Sequence, residues 1–423
     1  MRLLPKRAEL LENFATPRID LTAGLTVALV ALPLALAFGI ACGLGAASGI
    51  ITAVIAGLIA AVFGGSRYQV SGPTGAMTVV LLPIVNQFGR EAVLAVGLMA
   101  GVLLVSASLI GVGHHVHRIP TAVIEGFTAG IAVVIALQQV PTALGVTVET
   151  TEHVWQTAWL ALNAGSAINW ISVAIAAGAT ATVLIGERIF PRVPFALVAV
   201  ATALAAGLLF GLDTARIGEL PSLLAAPSAS FMSTIDWPAL VPSALAVATL
   251  AALESLLSAK VADRLVGAKE RHDSDRELFG QGLANLVVPF FGGVPATAAL
   301  ARTAVNVRNG AQSRLAAASH AVFLAVIVLA LPTLVAQIPL AALAGVLFAT
   351  TAHMVKPSEL LALAREPKLD ALMLAATFVA TVLLDLISAV LIGLALFLVL
   401  RRTRFAGVDR RYPPVDKKET LGD

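Results

Sequence analysis

The amino-acid sequence predicts an all-α polytopic membrane protein whose fourteen transmembrane segments form a seven-plus-seven inverted repeat. Three observations carry this reading. The composition is too apolar for a water-facing shell, basic residues are sorted to alternate connections, and two motif pairs recur about half a chain apart. Hydrophobic residues fill 58% of the 423 positions and charged residues 13%, with a mean hydropathy of +0.91. Soluble domains carry about 25% charged residues. Gly (34) and Pro (21) recur inside the apolar runs, as in membrane helices whose freed backbone groups find partners in neighbouring protein.

A spanning helix needs about 20 mostly apolar residues. By that measure the segments are approximately 21–44, 47–63, 72–86, 92–113, 119–142, 166–186, 193–211, 238–259, 277–291, 296–307, 316–336, 338–355, 369–385 and 387–401. Segments 72–86, 277–291 and 296–307 are too short to cross a bilayer core alone at about 1.5 Å per residue. Residues 1–20 are charged and amphipathic, without a signal-peptide core, and read as a cytoplasmic interfacial helix. Residues 402–423 read as a cytoplasmic tail.

With the N-terminus inside, outer connections hold only Arg90 and Arg216, and Arg302 falls within a segment. The remaining Lys and Arg lie at the termini or in inner connections, most densely from Lys260 to Arg276. This is the positive-inside pattern of a multi-pass membrane protein with both termini cytoplasmic, and a bacterial inner membrane is the expected location. The pI near 9.2 therefore reports orientation, and no nucleic-acid partner is expected. The single cysteine, Cys42, excludes an intramolecular disulfide and a Cys-based metal site.

The motif I-P-x-A-x-x-x-G occurs at Ile119–Gly126 and at Ile338–Gly345, 219 residues apart. Short broken segments open with Pro73-Thr74 and with Pro295-Ala296-Thr297, 222 residues apart. Repeat one (about 21–211) thus corresponds to repeat two (about 238–401), and because seven is odd the second inserts upside down. Paired short segments interrupted by Gly and Pro in such repeats mark a transporter's binding site.

At the first broken segment, Gly72 and Pro73 stop an extended approach and start a helix. Its first-turn N–H groups lie near Thr74, Gly75, Ala76 and Met77. In the second, Gly292-Gly-Val-Pro-Ala-Thr leads to first-turn amides near Ala298, Ala299, Leu300 and Ala301, with Arg302 immediately after. Two helix starts, each worth about half a positive charge, together with a guanidinium make an anion site where charge is otherwise costly.

Glu254, deep in the eighth segment, is the candidate carrier of a coupling proton or cation, with Ser258 one turn on and on the same face. A structural ion pair of Glu254 with Arg302 is compatible with that role, because protonating the carboxylate would release the arginine. Glu125 sits near the inner surface and ranks lower. His114, His115 and His117 beside Arg118 read as a solvated helix-end cluster. Gly280–Asn285 imitates a dinucleotide glycine pattern but lacks the final Gly and a preceding strand. No Ser/His/Asp nucleophile constellation is visible, so neither an enzyme nor a cofactor is expected.

Pro33–Phe38, Gly64–Thr78, Ile119–Gly130, and Glu277-Leu-x-x-Gln-Gly-Leu-Ala-Asn285 through Gly292-Gly-x-Pro to Arg302-Thr-Ala-Val-Asn306 resemble the SulP anion transporter family, the group of sulfate permeases and prestin. The resemblance covers nearly the whole membrane region, 21–401. It implies a nucleobase-transporter-like fold with a core domain of segments 1–4 and 8–11 and a gate domain of segments 5–7 and 12–14. It also implies a homodimer, and a pocket at the two helix starts lined by Phe38. Three departures stand out. Leu34 occupies a position where many relatives place Gln. Ala299 and Ala301 stand where relatives often carry Ser, so binding would rest on backbone amides. Relatives carry a C-terminal STAS domain, and the tail 402–423 reads as the stub before a missing one, with truncation the preferred explanation.

The function expected from residues and resemblance together is secondary active transport of a small anion (dicarboxylate, sulfate or bicarbonate) with a co-transported proton on Glu254. Sodium is the alternative, since similar transporters place an acid and a hydroxyl one turn later on the eighth span. The rival readings are a nucleobase-type proton symporter in which Arg302 is structural, and a passive anion channel or voltage-driven motor.

Overall fold

Backbone N–H and C=O groups have no water to bond in hydrocarbon, so a chain this apolar satisfies them within helices. The structure, a computed structural model, describes residues 15–114, 121–149, 151, 153–191, 193–219, 226–233, 235–267, 271–355, 368–383 and 392. The first half contains α1 (Pro17–Ala41), α2 (Ala46–Phe63), β1 (Ser71–Gly72), α3 (Gly75–Phe88), α4 (Arg90–Leu109), α5 (Thr121–Leu144), α6 (Val154–Leu162), α7 (Trp170–Ile189) and α8 (Phe195–Leu209). The second contains α9 (Val241–Val266), α10 (Ser274–Val287), β2 (Thr297–Ala298), α11 (Leu300–Arg308), α12 (Arg314–Ala330), α13 (Pro332–Ala336), α14 (Leu340–Met354) and α15 (Lys368–Leu383). Among the described residues six helices are long and apolar enough to cross a membrane, which makes the chain a helical membrane protein.

The structure corrects the sequence reading in four places. The chain is not purely helical: β1 and β2 form a two-stranded antiparallel ribbon. The tenth segment does not begin as a helix at 296; residues 297–298 are strand, and α11 starts at Leu300. The eleventh breaks at Leu331 into α12 and α13, where Pro332 opens a new helix. Between the fifth and sixth segments lies α6, a short helix absent from the apolar-run reading. Segment 387–401 apart from Ile392, the tail, residues 1–14, Ile119-Pro120, His115 and His117 lie outside the described residues.

The described chain forms two compact units, Met1–Arg118 with Ile131–Val355, and Ile119–Gly130 with Lys356–Asp423. In the second, Gly126 and Gly130 on α5 let that helix approach Leu374 and Thr381 on α15 closely. The first unit is knit by crossings of small residues. A Cβ on Gly49 of α2 would lie 1.9 Å from the Ala35 carbonyl of α1, and one on Gly101 of α4 would lie 2.7 Å from the Leu286 amide of α10. Between membrane helices, backbone approach of this kind replaces the hydrophobic drive that lipid cannot supply.

Polar residues fix the helix ends. Asp273 caps α10 by accepting from the Asp275 and Arg276 amides, and Asn169 caps α7 through Ile171 and Ser172. The buried Asp20 carboxylate near the start of α1 accepts from the Gln312 and Ser313 amides and the Ser313 hydroxyl, tying α1 to the start of α12. The Gly49 crossing generates a direct test. Gly49→Val should lower the thermal unfolding temperature of the purified protein, since overpacking costs about 1–3 kcal/mol. Gly178→Ala, where a Cβ meets nothing within 4 Å, should hold or raise it, since alanine suits a helix interior better than glycine, and equal lowering by the two variants would contradict the packing described.

Candidate functional site

The site is built on two stretches of extended backbone. β1 and β2 run antiparallel, Ser71 opposite Ala298 and Gly72 opposite Thr297. The Ala299 amide donates to the Val70 carbonyl at 2.8 Å, and the Val70 amide donates to Thr303 Oγ1 at 3.1 Å. Side chains complete the bonding. Asn285 of α10 brackets Ala296, receiving its N–H and donating to its C=O. Gln281, one turn earlier, donates to Ser71 Oγ at 2.7 Å, and Ser255 of α9 accepts from the Ala298 amide at 3.1 Å. These bonds keep non-helical backbone affordable inside a membrane protein, where an unmet backbone group is expensive.

Each strand runs straight into a helix start. Thr74 and Ala299 are the N-caps of α3 and α11; both are extended, and neither supplies a side-chain cap. The first backbone bonds back to the caps come from Thr78 to Thr74 and from Thr303 to Ala299. The amides of Gly75, Ala76 and Met77 therefore precede the α3 ladder, and those of Leu300, Ala301 and Arg302 precede the α11 ladder, as the first N–H groups of any helix do. The Ala298 and Ala299 amides, expected from sequence to be open, are instead used by Ser255 and Val70.

Arg302 is 1% exposed. Its Nη2 donates to the Pro73 carbonyl at 2.6 Å, so the arginine of one repeat is bonded to the helix start of the other. Its Nε and Nη1 are buried without a hydrogen-bond partner. Gly72 is required for this fit: a Cβ there would meet Nη1 at 2.8 Å and the Ala53 Cα at 3.2 Å.

The half-buried Glu254 of α9 accepts from Thr74 Oγ1 at 2.9 Å and from Thr297 Oγ1 at 2.7 Å. It thus bonds the N-cap of α3 and strand β2 at once. No ion pair joins it to Arg302 among the described residues; the two threonine hydroxyls take that place. Ser258, one turn on, is buried and donates to Thr303 Oγ1 at 3.2 Å, so its hydroxyl is committed elsewhere. Thr297, Thr303 and Ser255 were not singled out in the sequence reading. Thr297 had a readable signal, as the hydroxyl residue in the approach to the second helix start.

The two helix starts are unequally covered. A Cβ on Gly75 would lie 2.5 Å from Ile135 Cδ1 of α5 and 3.2 Å from Phe38 Cε1 of α1, so Phe38 and Ile135 press on the first residue of α3. Thr74, Ala76 and Met77 are buried, as is Ala299, whereas Leu300 is 42% exposed and Ala301 is exposed. Leu34 is buried in apolar packing. Other motifs fall outside the site. Gly280–Asn285 is an uninterrupted part of α10, His114 is exposed and pairs with Asp275 at 2.6 Å, and Glu125 belongs to the other compact unit.

Residues 18–377 match the Sulfate permease family profile. YvdB of Bacillus subtilis (strain 168), which carries a provisional sulfate-transporter name, is 38% identical over 85% of this chain and 69% of its own length. The bicarbonate transporter BicA of Picosynechococcus sp. is 32% identical over 86% of this chain and 65% of its own. The chain thus spans about two thirds of the length of these curated relatives. The solved transmembrane domain of a cyanobacterium BicA superposes with a TM-score of 0.81 at 31% identity, covering 89% of this chain and 98% of that one. The murine Solute Carrier 26 family member A9 anion transporter superposes with a TM-score of 0.83 at 17% identity, covering 92% and 68%, a likeness of fold alone.

The contact of Gly72 with Arg302 yields a prediction. Gly72→Ala should displace the guanidinium from Pro73 and lower the thermal transition by the equivalent of about 1–3 kcal/mol. Adding Arg302→Ala on top should then cost little more, because the two changes disrupt one contact; full additivity would show that they do not share it.

Proposed function

Because this chain belongs to the sulfate permease family, we propose that it is a secondary active transporter of small anions, working by alternating access with both termini cytoplasmic. The observation that carries the proposal is the meeting of two uncapped helix starts beside Arg302, whose buried guanidinium is only partly hydrogen-bonded. Each start contributes about half a positive charge and a fan of N–H donors. Ala299 and Ala301 bring no hydroxyl, so the cargo is held by backbone amides, which suit the several acceptor oxygens of an oxyanion. Sulfate, bicarbonate and dicarboxylates all present such oxygens, and the names of YvdB and BicA favour the first two.

Glu254 is the coupling group in this reading. Ionised, it places a negative charge beside the anion site and weakens it; protonated, it removes that charge and strengthens it. By reciprocity a bound anion then raises the affinity for the proton, which is the requirement for symport. Since Glu254 bonds both Thr74 and Thr297, its protonation state is sensed at both repeats together. A sodium-coupled version has one supporting observation: Glu254, Thr74 Oγ1 and Thr297 Oγ1 form a three-oxygen cluster of the kind a hard cation takes. The commitment of Ser258 to Thr303 weighs against the version that uses an acid and a hydroxyl one turn later.

Proteoliposome uptake of labelled sulfate, bicarbonate and a dicarboxylate separates these readings. Proton symport expects accumulation against a gradient when the outside is acidic, with Glu254→Gln still binding anion but deaf to pH. Accumulation that follows sodium and ignores pH would transfer the coupling to sodium, and flux without accumulation would indicate a channel. Arg302→Ala should weaken uptake about 10- to 100-fold, the range for losing a bond to a charged group; unchanged uptake would make Arg302 structural.

A further inference from the structure

We propose that α6 (Val154–Leu162) is an interfacial helix that docks on the lipid headgroup layer, its tryptophan face turned to the boundary between headgroups and acyl chains. The proposal needs only a helical membrane protein and stands apart from the transport reading. At 3.6 residues per turn, Trp155, Trp159 and Leu162 share one face of α6. They are 44%, 65% and 56% exposed, whereas Ala158 and Ala161 are buried. The helix therefore turns its small residues to the protein and its large apolar ones outward. Trp155 also stacks on His153, with ring centroids 6.1 Å apart.

The ends of the connection fix its level. α6 lies between α5 and α7, two helices long and apolar enough to cross a membrane. The Asn169 amide donates to the Leu144 carbonyl at 2.9 Å. The end of α5 and the start of α7 are thus pinned together, and the residues between them form a loop at one membrane face. At about 1.5 Å per residue α6 is too short to cross, so its apolar face meets either the lipid surface, water or another chain. Two observations choose the lipid. The exposed face is continued along the chain by Trp170 and Ile171, both exposed, on a spanning helix whose apolar exterior lipid covers. Of the four tryptophans in the chain, three are Trp155, Trp159 and Trp170, the residue type that collects at headgroup level. No Lys or Arg occurs between Arg118 and Arg188, so attraction to anionic lipid contributes nothing to the contact. The same lack of basic residues assigns α6 to the outer leaflet.

The test uses the full chain in phosphatidylcholine liposomes whose acyl chains carry bromine near the headgroup or near the bilayer centre, with tryptophan emission as the readout. Subtracting the emission of Trp159→Phe from that of the unmodified protein isolates Trp159, and Trp155→Phe isolates Trp155 in the same way. The two variants are read independently, so either decides the matter if the other fails to fold. Both tryptophans should be quenched more strongly by the shallow bromine, as befits a helix buried about 5–10 Å into the headgroup boundary. The quenching should be the same with and without added phosphatidylglycerol, and iodide in the water on both sides should have little effect. Quenching by iodide alone would put α6 in water, and quenching by neither agent would put its face against a second copy of the chain. Stronger quenching by the deep bromine would sink the helix into the acyl core, and a requirement for phosphatidylglycerol would make the contact electrostatic. Any of these four results overturns the proposal while leaving the transport reading untouched.

Discussion

The short antiparallel pairing of Ser71–Gly72 with Thr297–Ala298 is the constraint on which the rest of the structure depends. It holds two stretches of extended backbone side by side inside a protein otherwise built of helices, and each stretch ends in a helix start. Both starts are thereby brought to one place. The pairing is supported by polar side chains from α9 and α10: Asn285 at the Ala296 backbone, Ser255 at the Ala298 amide and Gln281 at the Ser71 hydroxyl. Removing Asn285 or Ser255 would leave a backbone group unmet in hydrocarbon-like surroundings, so these residues support the paired strands.

Arg302 and Glu254 add bonds of their own between the repeats. Arg302 of the second reaches the Pro73 carbonyl of the first, and Glu254 of the second reaches Thr74 of the first. A basic group and an acidic group thus share one short crossing without pairing directly. In the proposed function this arrangement is electrostatically poised: the guanidinium and two helix starts would attract an anion, and an ionised Glu254 would oppose it. Glycine at 72 leaves the space the guanidinium fills. The two starts are unequally covered, with Gly75 beneath Phe38 and Ile135 and with Leu300 and Ala301 exposed.

Much of this was legible in the sequence, and the failures have physical causes. Pro73 announces a helix start because a proline without an N–H suits a first turn, and α3 indeed begins two residues later. Pro295 carries the same signal and misleads. There the chain stays extended through Ala299, held by Asn285, Ser255 and Val70, partners that no local pattern reveals. The helix starts Gly75 and Leu300 are consequently 225 residues apart, not the 222 separating the prolines. Arg302 and Glu254 were conspicuous as charges within apolar runs. Thr303, ordinary in a membrane helix, acquires meaning only once the fold places it beside Ser258. Helix α6 escaped notice because nine residues with exposed Trp155 and Trp159 do not form a spanning run.

The most direct measurement of the central claim is a structure of the protein in lipid with selenate, whose anomalous scattering locates it without interpretation of weak density. The account expects a single strong selenium peak between the amides of Gly75–Met77 and those of Leu300–Arg302, close to the guanidinium. A peak elsewhere in the membrane region, or none in protein shown by transport assay to take up selenate, would contradict it.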